Sequence, residues 1–361
     1  MQQRNNTITI MKALAIVCMV AGHAYTRSSI EDFVGMFHMP VFFFVSGFCF
    51  REKHLGNVFL YIKKKILALW WPTAKWLMAM VVLHNLLLYL GVYELHKVYD
   101  KTPIEYYGLL DILKYLAMAF FTLHSHAPSF AGIWFIKMLL IASVVGYFTV
   151  GHCCHKGIIY VEFFLLAVSV ILLVFPVRIP VLGQAHLPFL STFFYIAGYI
   201  SRQRGIMDKL KKRRVISFTL SFVLLIIGFL FWTSSMVNMK PINCIPFCMS
   251  AFAGIIIIMF LADIINKRFS PPPTHNAIHS LVLYIGNNTY PILMMHILSF
   301  KIVSLGLILG FDLPYCKLGD FPTIHFMTER GWWIAYLIVG VTLPLVVDKF
   351  YHIIKRNIYE H

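Results

Sequence analysis

Apolar runs of about 20 residues, the length of a helix that crosses a bilayer core, recur along almost the whole of this 361-residue chain. They fall near 8–26, 33–50, 66–90, 131–150, 158–176, 181–200, 215–234, 244–264, 281–305 and 331–348. Inside lipid each segment must satisfy its own backbone polar groups, which helices do without help from neighbours. The expected fold is therefore all-α: a polytopic integral membrane protein with about ten transmembrane helices. Residues 1–361 are expected to form a single transmembrane domain with no soluble domain of any size. Only 13% of the residues are charged, against roughly 25% in ordinary soluble domains.

The formal net charge of +16 would suit a nucleic-acid binder, but its distribution does not. About 19 of the 31 Lys and Arg residues fall in segments that ten spans put on one side of the bilayer. The densest group is Arg202, Arg204, Lys209, Lys211, Lys212, Arg213 and Arg214, between two apolar runs. The positive-inside rule then makes the loops 51–65, 201–214 and 266–279 cytoplasmic. The tail from Lys349 to Arg356 falls on the same side, so both termini are expected in the cytoplasm. The lipid bilayer, through its anionic headgroups, is the expected partner of these loops, and no nucleic acid is expected.

Three stretches need separate treatment. The first run contains Lys12 and His23 and is expected to be a permanent span rather than a cleaved signal. The segment 109–126, with His124 and His126, is apolar and polar by turns. It can lie in the interface, enter partway or add a span. The second run is short, and Pro40 in its first half removes a backbone donor, so a bend is expected there. The seven cysteines show neither a disulfide framework nor zinc-like spacing, and no metal is expected.

Polar residues inside spans are costly, so each must face the bundle interior, a cavity or the interface. Lys12 and His23 lie eleven residues apart on one expected helix. At about 100° per residue both fall on one face, roughly 16 Å apart along the axis. An amine and an imidazole so placed can hold the two ends of a long ligand. Equally, Lys12 can snorkel to headgroups while His23 hydrogen-bonds to another helix. The run Phe37-His38-Met39-Pro40-Val41-Phe42-Phe43-Phe44-Val45-Ser46-Gly47-Phe48 adds a second intramembrane imidazole at His38. Ser46-Gly47 supplies a small spot for close helix approach.

The stretch Met11-Lys12 through Gly22-His23-Ala24, followed by the Phe-His-Met-Pro and Ser-Gly-Phe run, resembles the opening of the membrane acyltransferase 3 family. That family's first helix has a basic residue, ten residues and then a His, the spacing of Lys12 and His23. Lys in place of the commoner Arg is closer to its fucose-acetylase-like branch. Gly132-Ile133-Trp134-Phe135-Ile136, Phe193 to Ile200, and Ile285-Gly286-Asn287-Asn288-Thr289 through His296 are similar to later family motifs, in family order. The family's paired Arg before the third span has a departure here: Lys63-Lys64-Lys65 keeps the charge but not the spacing.

The resemblance implies an O-acyltransferase of the bacterial inner membrane. It would move an acetyl or related acyl group from cytoplasmic acyl-CoA to a hydroxyl of a cell-surface or lipid-linked sugar. Acyl-CoA is then a co-substrate, with no permanently bound cofactor. His23 is the candidate base, since imidazole titrates near working pH. Lys12, Lys63, Lys64 and Lys65 are the candidates for holding the CoA phosphates. His38, Ser46 and His296 are candidates for orienting the acceptor or stabilising the oxyanion, and Glu31 or Asp32 for orienting His23. A covalent acyl-histidine route stays open beside direct transfer. The rival reading is a transporter or flippase for lipid-linked saccharides. Transporters commonly carry a mid-span acid, whereas the fifteen Asp and Glu residues here fall in loops or close to span ends.

Overall fold

The computed structural model describes residues 5–99, 102–124, 132–269 and 277–359. The first apolar run forms α1 (Asn6–Ala24), with the Asn5 side chain accepting from the Ile8 amide at 3.4 Å. The second run is broken into α2 (Ser29–Gly35) and α3 (His38–Cys49). Pro40 falls in the first turn of α3, where its missing N–H would have had no helical partner. The expected bend therefore lies just before the proline, and His38 Nδ1 closes it by donating to the Val34 carbonyl at 2.7 Å.

Next come α4 (Val58–Lys65), one π turn (Ile66–Trp70) and α5 (Trp71–Tyr89), a continuous 32-residue helix. Pro72 has no N–H to offer the Ala68 carbonyl, and the helix widens by a turn at this point. The doubtful segment gives α6 (Leu109–Thr122), which at 14 residues and about 21 Å is shorter than a bilayer core. His124 follows it, and His126 lies outside the described residues, as do Pro271, Pro272 and Pro273.

The remaining helices are α7 (Ile133–His152), α8 (His155–Val174), α9 (His186–Gln203), α10 (Ile206–Lys212), α11 (Arg214–Phe231), α12 (Cys244–Phe269), α13 (Ala277–Asn287), α14 (Thr289–Phe311), α15 (His325–Met327) and α16 (Trp333–Tyr359). Among the described residues strands are confined to two antiparallel hairpins of two residues a side. Among the described residues nine helices are long and apolar enough to cross a membrane. The run expected at 181–200 is α9, which starts at His186 and is interrupted by Ser191, Thr192 and Ser201, all buried. The run expected at 281–305 is divided at Asn288, which opens α14.

The chain divides into two compact units that interleave in sequence. The first comprises residues 1–19, 32–71 and 134–287. Its centre is the crossing of α3 and α9, made by one glycine from each helix. A Cβ on Gly47 would stand 1.7 Å from the Tyr195 carbonyl oxygen, and one on Gly198 would stand 1.9 Å from that of Phe44. Backbone lies against backbone, the close approach that small residues permit in membranes. Elsewhere in this unit α13 sits on α1 in the same way, with Gly286 against the Thr9 carbonyl. Asp263, buried on α12, pairs with Lys211 of α10 at 3.1 Å and with Lys267 at 2.8 Å.

The second unit comprises residues 20–31, 72–133 and 288–361. Here α16 packs on α14 through Gly340 against the Phe300 ring, and through Tyr336 Oη bonded to Ser304 Oγ at 2.9 Å. Buried Lys301 donates to the carbonyls of Leu318 at 2.9 Å and Asp320 at 2.5 Å, which replaces the water an ammonium would otherwise need. Two neighbours on α5 pin the 105–107 segment: His84 Nε2 donates to the Glu105 carbonyl at 2.9 Å, and Asn85 bonds the Tyr107 backbone in both directions. The His84 ring also stacks on Tyr107 at 3.6 Å. His84→Ala is expected to cost about 2–4 kcal/mol, from a lost buried ring and an orphaned carbonyl. Thermal unfolding in detergent should report a lower midpoint; an unchanged midpoint contradicts the clamp.

Candidate active site

In the second unit, His23 stands in the last turn of α1 and His296 on α14. Their ring centroids are 5.3 Å apart with planes tilted by 36°. His23 is half-buried and His296 is 1% exposed. The Nδ1 of His296 lies 3.0 Å from the Ile292 carbonyl and 3.1 Å from that of Leu293. Carbonyls only accept, so Nδ1 carries the hydrogen. The Nε2 of His296 is buried without a hydrogen-bond partner. The Phe300 ring meets the His296 ring edge-on at 5.8 Å. Tyr25, two residues beyond His23, stacks on Trp333 at 6.2 Å and anchors the chain as it leaves α1.

His38 and Ser46 belong to the first unit. His38 is half-buried, and its Nδ1 hydrogen is held by Val34, so its other nitrogen has a lone pair to offer. Ser46 is half-buried next to the Gly47 contact.

The same unit gathers cations at the C-terminal end of α3. The Cys49 thiol lies in the field of Lys12, Arg202, Arg51 and Lys65. Lys65 is half-buried, with Nζ 5.5 Å from the Tyr61 ring centroid, whereas Lys63 and Lys64 are exposed. The lysine triplet therefore contributes one inward cation and two outward ones.

Arg202 was read from sequence only as part of the basic loop. Its Nη1 donates to the Phe50 carbonyl just past the end of α3, and its guanidinium lies 5.8 Å from the Tyr199 ring centroid. A cation at a helix C-terminus is favoured by the helix dipole. The available signal was its spacing: Arg202 follows Gly198 by one helical turn and so shares the face that meets α3. Nearby, Glu52 accepts from Tyr199 Oη and Gln203 Nε2, each at 2.7 Å, which fastens the 50–54 loop to α9. Phe50 is packed among the rings of His54, Tyr61, Tyr147, Tyr195 and Tyr199. The limited burial of His54, then Lys53, Lys65, Lys64 and Arg51, push its imidazole below its ordinary range.

Among the described residues no three His, Cys, Asp or Glu side chains come together as metal ligands. Chemically, the second unit offers a pair of imidazoles with one lone pair fixed in place, and the first offers a cationic cluster suited to phosphate. In comparisons with known proteins, the acyltransferase-domain family Acyl_transf_3 matches residues 5–349. No curated protein and no solved structure matches the chain.

Proposed function

The chain belongs to the Acyl_transf_3 family of membrane acyltransferases, and from that premise we propose an O-acyltransferase that uses acyl-CoA, acetyl-CoA first among the candidates. The acceptor is a hydroxyl of a cell-surface or lipid-linked sugar. The observation that carries the reading is the His23–His296 imidazole pair on α1 and α14.

The acceptor oxygen attacks the thioester carbonyl while His23 removes the hydroxyl proton. The tetrahedral intermediate then collapses, breaking the C–S bond. The proton returns from His23 to the departing thiolate, leaving an ester and free CoA. Lys12 and Lys65, with Arg51 and Arg202, hold the phosphates of the donor; Lys63 and Lys64 contribute long-range attraction from the surface. His38 and His296, with the Nδ1 hydrogen of each bonded to backbone, can accept at the other nitrogen but not donate. With acyl-CoA in the cytoplasm, the basic loops and both termini are placed on that side. Mass spectrometry of cell-surface glycans with and without the protein tests the reading. Ester-linked acyl groups that disappear with the protein are expected, and an unchanged acylation pattern overturns it.

Binding should also depend on pH through His54. The surrounding cations disfavour its charged form in the empty protein, and a bound polyanion offsets them and favours that form again. Donor binding therefore favours proton uptake, and affinity should rise as pH falls toward the ordinary imidazole range. Calorimetry in two buffers of different ionisation enthalpy measures the uptake. His54→Gln should remove it, leaving only the contribution of the donor's own phosphates; equal uptake in both proteins contradicts the assignment.

A further inference from the structure

The second imidazole of the pair has a task that sequence spacing does not reveal. His296 is enclosed: its described neighbours are the Ile292 and Leu293 carbonyls, the His23 ring and the Phe300 ring. None of the two carbonyls and the Phe300 ring compensates a positive charge as a carboxylate would, and a bare charge in such surroundings is costly. His296 is thus a neutral imidazole with its hydrogen on Nδ1, bifurcated between two carbonyls. Its Nε2 lone pair is buried, fixed in direction and unpartnered.

Such a nitrogen cannot donate to an oxyanion. It can accept a hydrogen bond from whatever N–H is brought to it. The His23 ring is the polar group described beside it, with centroids 5.3 Å apart. A ring nitrogen lies about 1.1 Å from its centroid, so an in-line approach leaves ~3 Å between nitrogens, a normal hydrogen-bond length. The resting geometry lacks that bond, and catalytic hydrogen bonds commonly tighten only when substrate is bound. Glu31, the acid that sequence offered for the same task within this unit, has its carboxylate on the Arg27 amide at 2.5 Å.

We infer that His296 is the positioning residue of the site: its Nε2 accepts the N–H of His23 and so aims the other nitrogen of His23 at the acceptor hydroxyl. The arrangement replaces the carboxylate of a Ser-His-Asp triad with a neutral lone pair. A neutral acceptor steadies the tautomer of His23 without burying a second charge. The inference rests on the acyl-transfer reading for its function, but the tautomer of His296 does not.

Two substitutions and one spectrum test it. His296→Phe keeps a ring of similar size and removes the lone pair; His296→Gln keeps an acceptor. With acetyl-CoA turnover as the readout, hydrolysis of its thioester by water included, His296→Phe should lower kcat about 100-fold while KM for acetyl-CoA stays within about twofold. His296→Gln should retain activity within about tenfold of the starting protein. Equal loss in both, or full kcat in His296→Phe, overturns the positioning role. Nitrogen NMR of histidine-labelled protein in bilayers reads the tautomer whether or not turnover is seen. A resonance pair protonated at Nδ1 and bare at Nε2, absent from His296→Phe, is expected. A His296 protonated at Nε2 overturns the inference even if acyl transfer stands. Absence of all turnover in the starting protein, with the expected tautomer present, counts against the acyl-transfer reading instead.

Discussion

Replacing His23 with Ala should lower acyl transfer by about 10²–10⁴-fold, the contribution of a positioned general base. Donor binding should survive, because the cations around Cys49 are untouched. A loss of kcat without loss of acetyl-CoA affinity is the expected pattern. Packing damage would instead reduce both, or lower the yield of folded protein. The half-buried His23 ring touches His296, so His23→Gln is a useful companion that keeps polarity near Nε2. Retained transfer in either variant removes His23 as the base. Acid quenching followed by mass spectrometry of the peptide containing His23 separates the two chemical routes. An acyl adduct on that residue means the covalent one.

The second large effect is structural and lies at the α3–α9 crossing. Gly198→Ala and Gly47→Ala each place a methyl within 2 Å of a facing carbonyl oxygen, at 1.9 Å and 1.7 Å. Neither oxygen is on a flexible side chain, so the helices themselves must part. Overpacking of a tight contact costs roughly 1–3 kcal/mol or more, and backbone against backbone belongs at the upper end. The crossing also positions Arg202 and Phe50, so donor affinity should fall with stability. Gly306→Ala, on α14 with open space around it, is the control. It should be neutral or stabilising by about 1 kcal/mol through helix propensity. A Gly198→Ala protein that melts with the unsubstituted one contradicts the contact.

Much of the architecture was readable because lipid imposes one demand on every segment. Runs of apolar residues had to be helices, and the structure has nine long apolar ones among the described residues. The run at 181–200 was read as an apolar span like the others, yet α9 carries more polar residues, which α3 and the rest of its unit cover. Break points were harder. Pro40 announced a bend, but where the helix stops depends on where the missing N–H is harmless, a question of turn position rather than of sequence alone.

The candidate site was partly legible for the same reason. Lys12 and His23 stood out as polar residues in an apolar helix, and α1 carries both without a break. His296 was visible as an intramembrane imidazole, but its partner was not, because contact between α1 and α14 is a tertiary fact. Arg202 was hidden by its company: seven basic residues in one loop read as a surface charge run. Only packing shows that one of them turns back onto the end of α3. Conversely, Lys63 and Lys64 looked as eligible as Lys65, and helix phase alone sends them outward.

Titration of the purified, bilayer-reconstituted protein with acetyl-CoA tests the central claim most directly. Saturable binding is predicted, weakened by about tenfold or more when Arg202 or Lys12 is replaced by Ala, as expected for loss of a charge-assisted phosphate contact. No binding at millimolar acetyl-CoA, or binding indifferent to both substitutions, would contradict it.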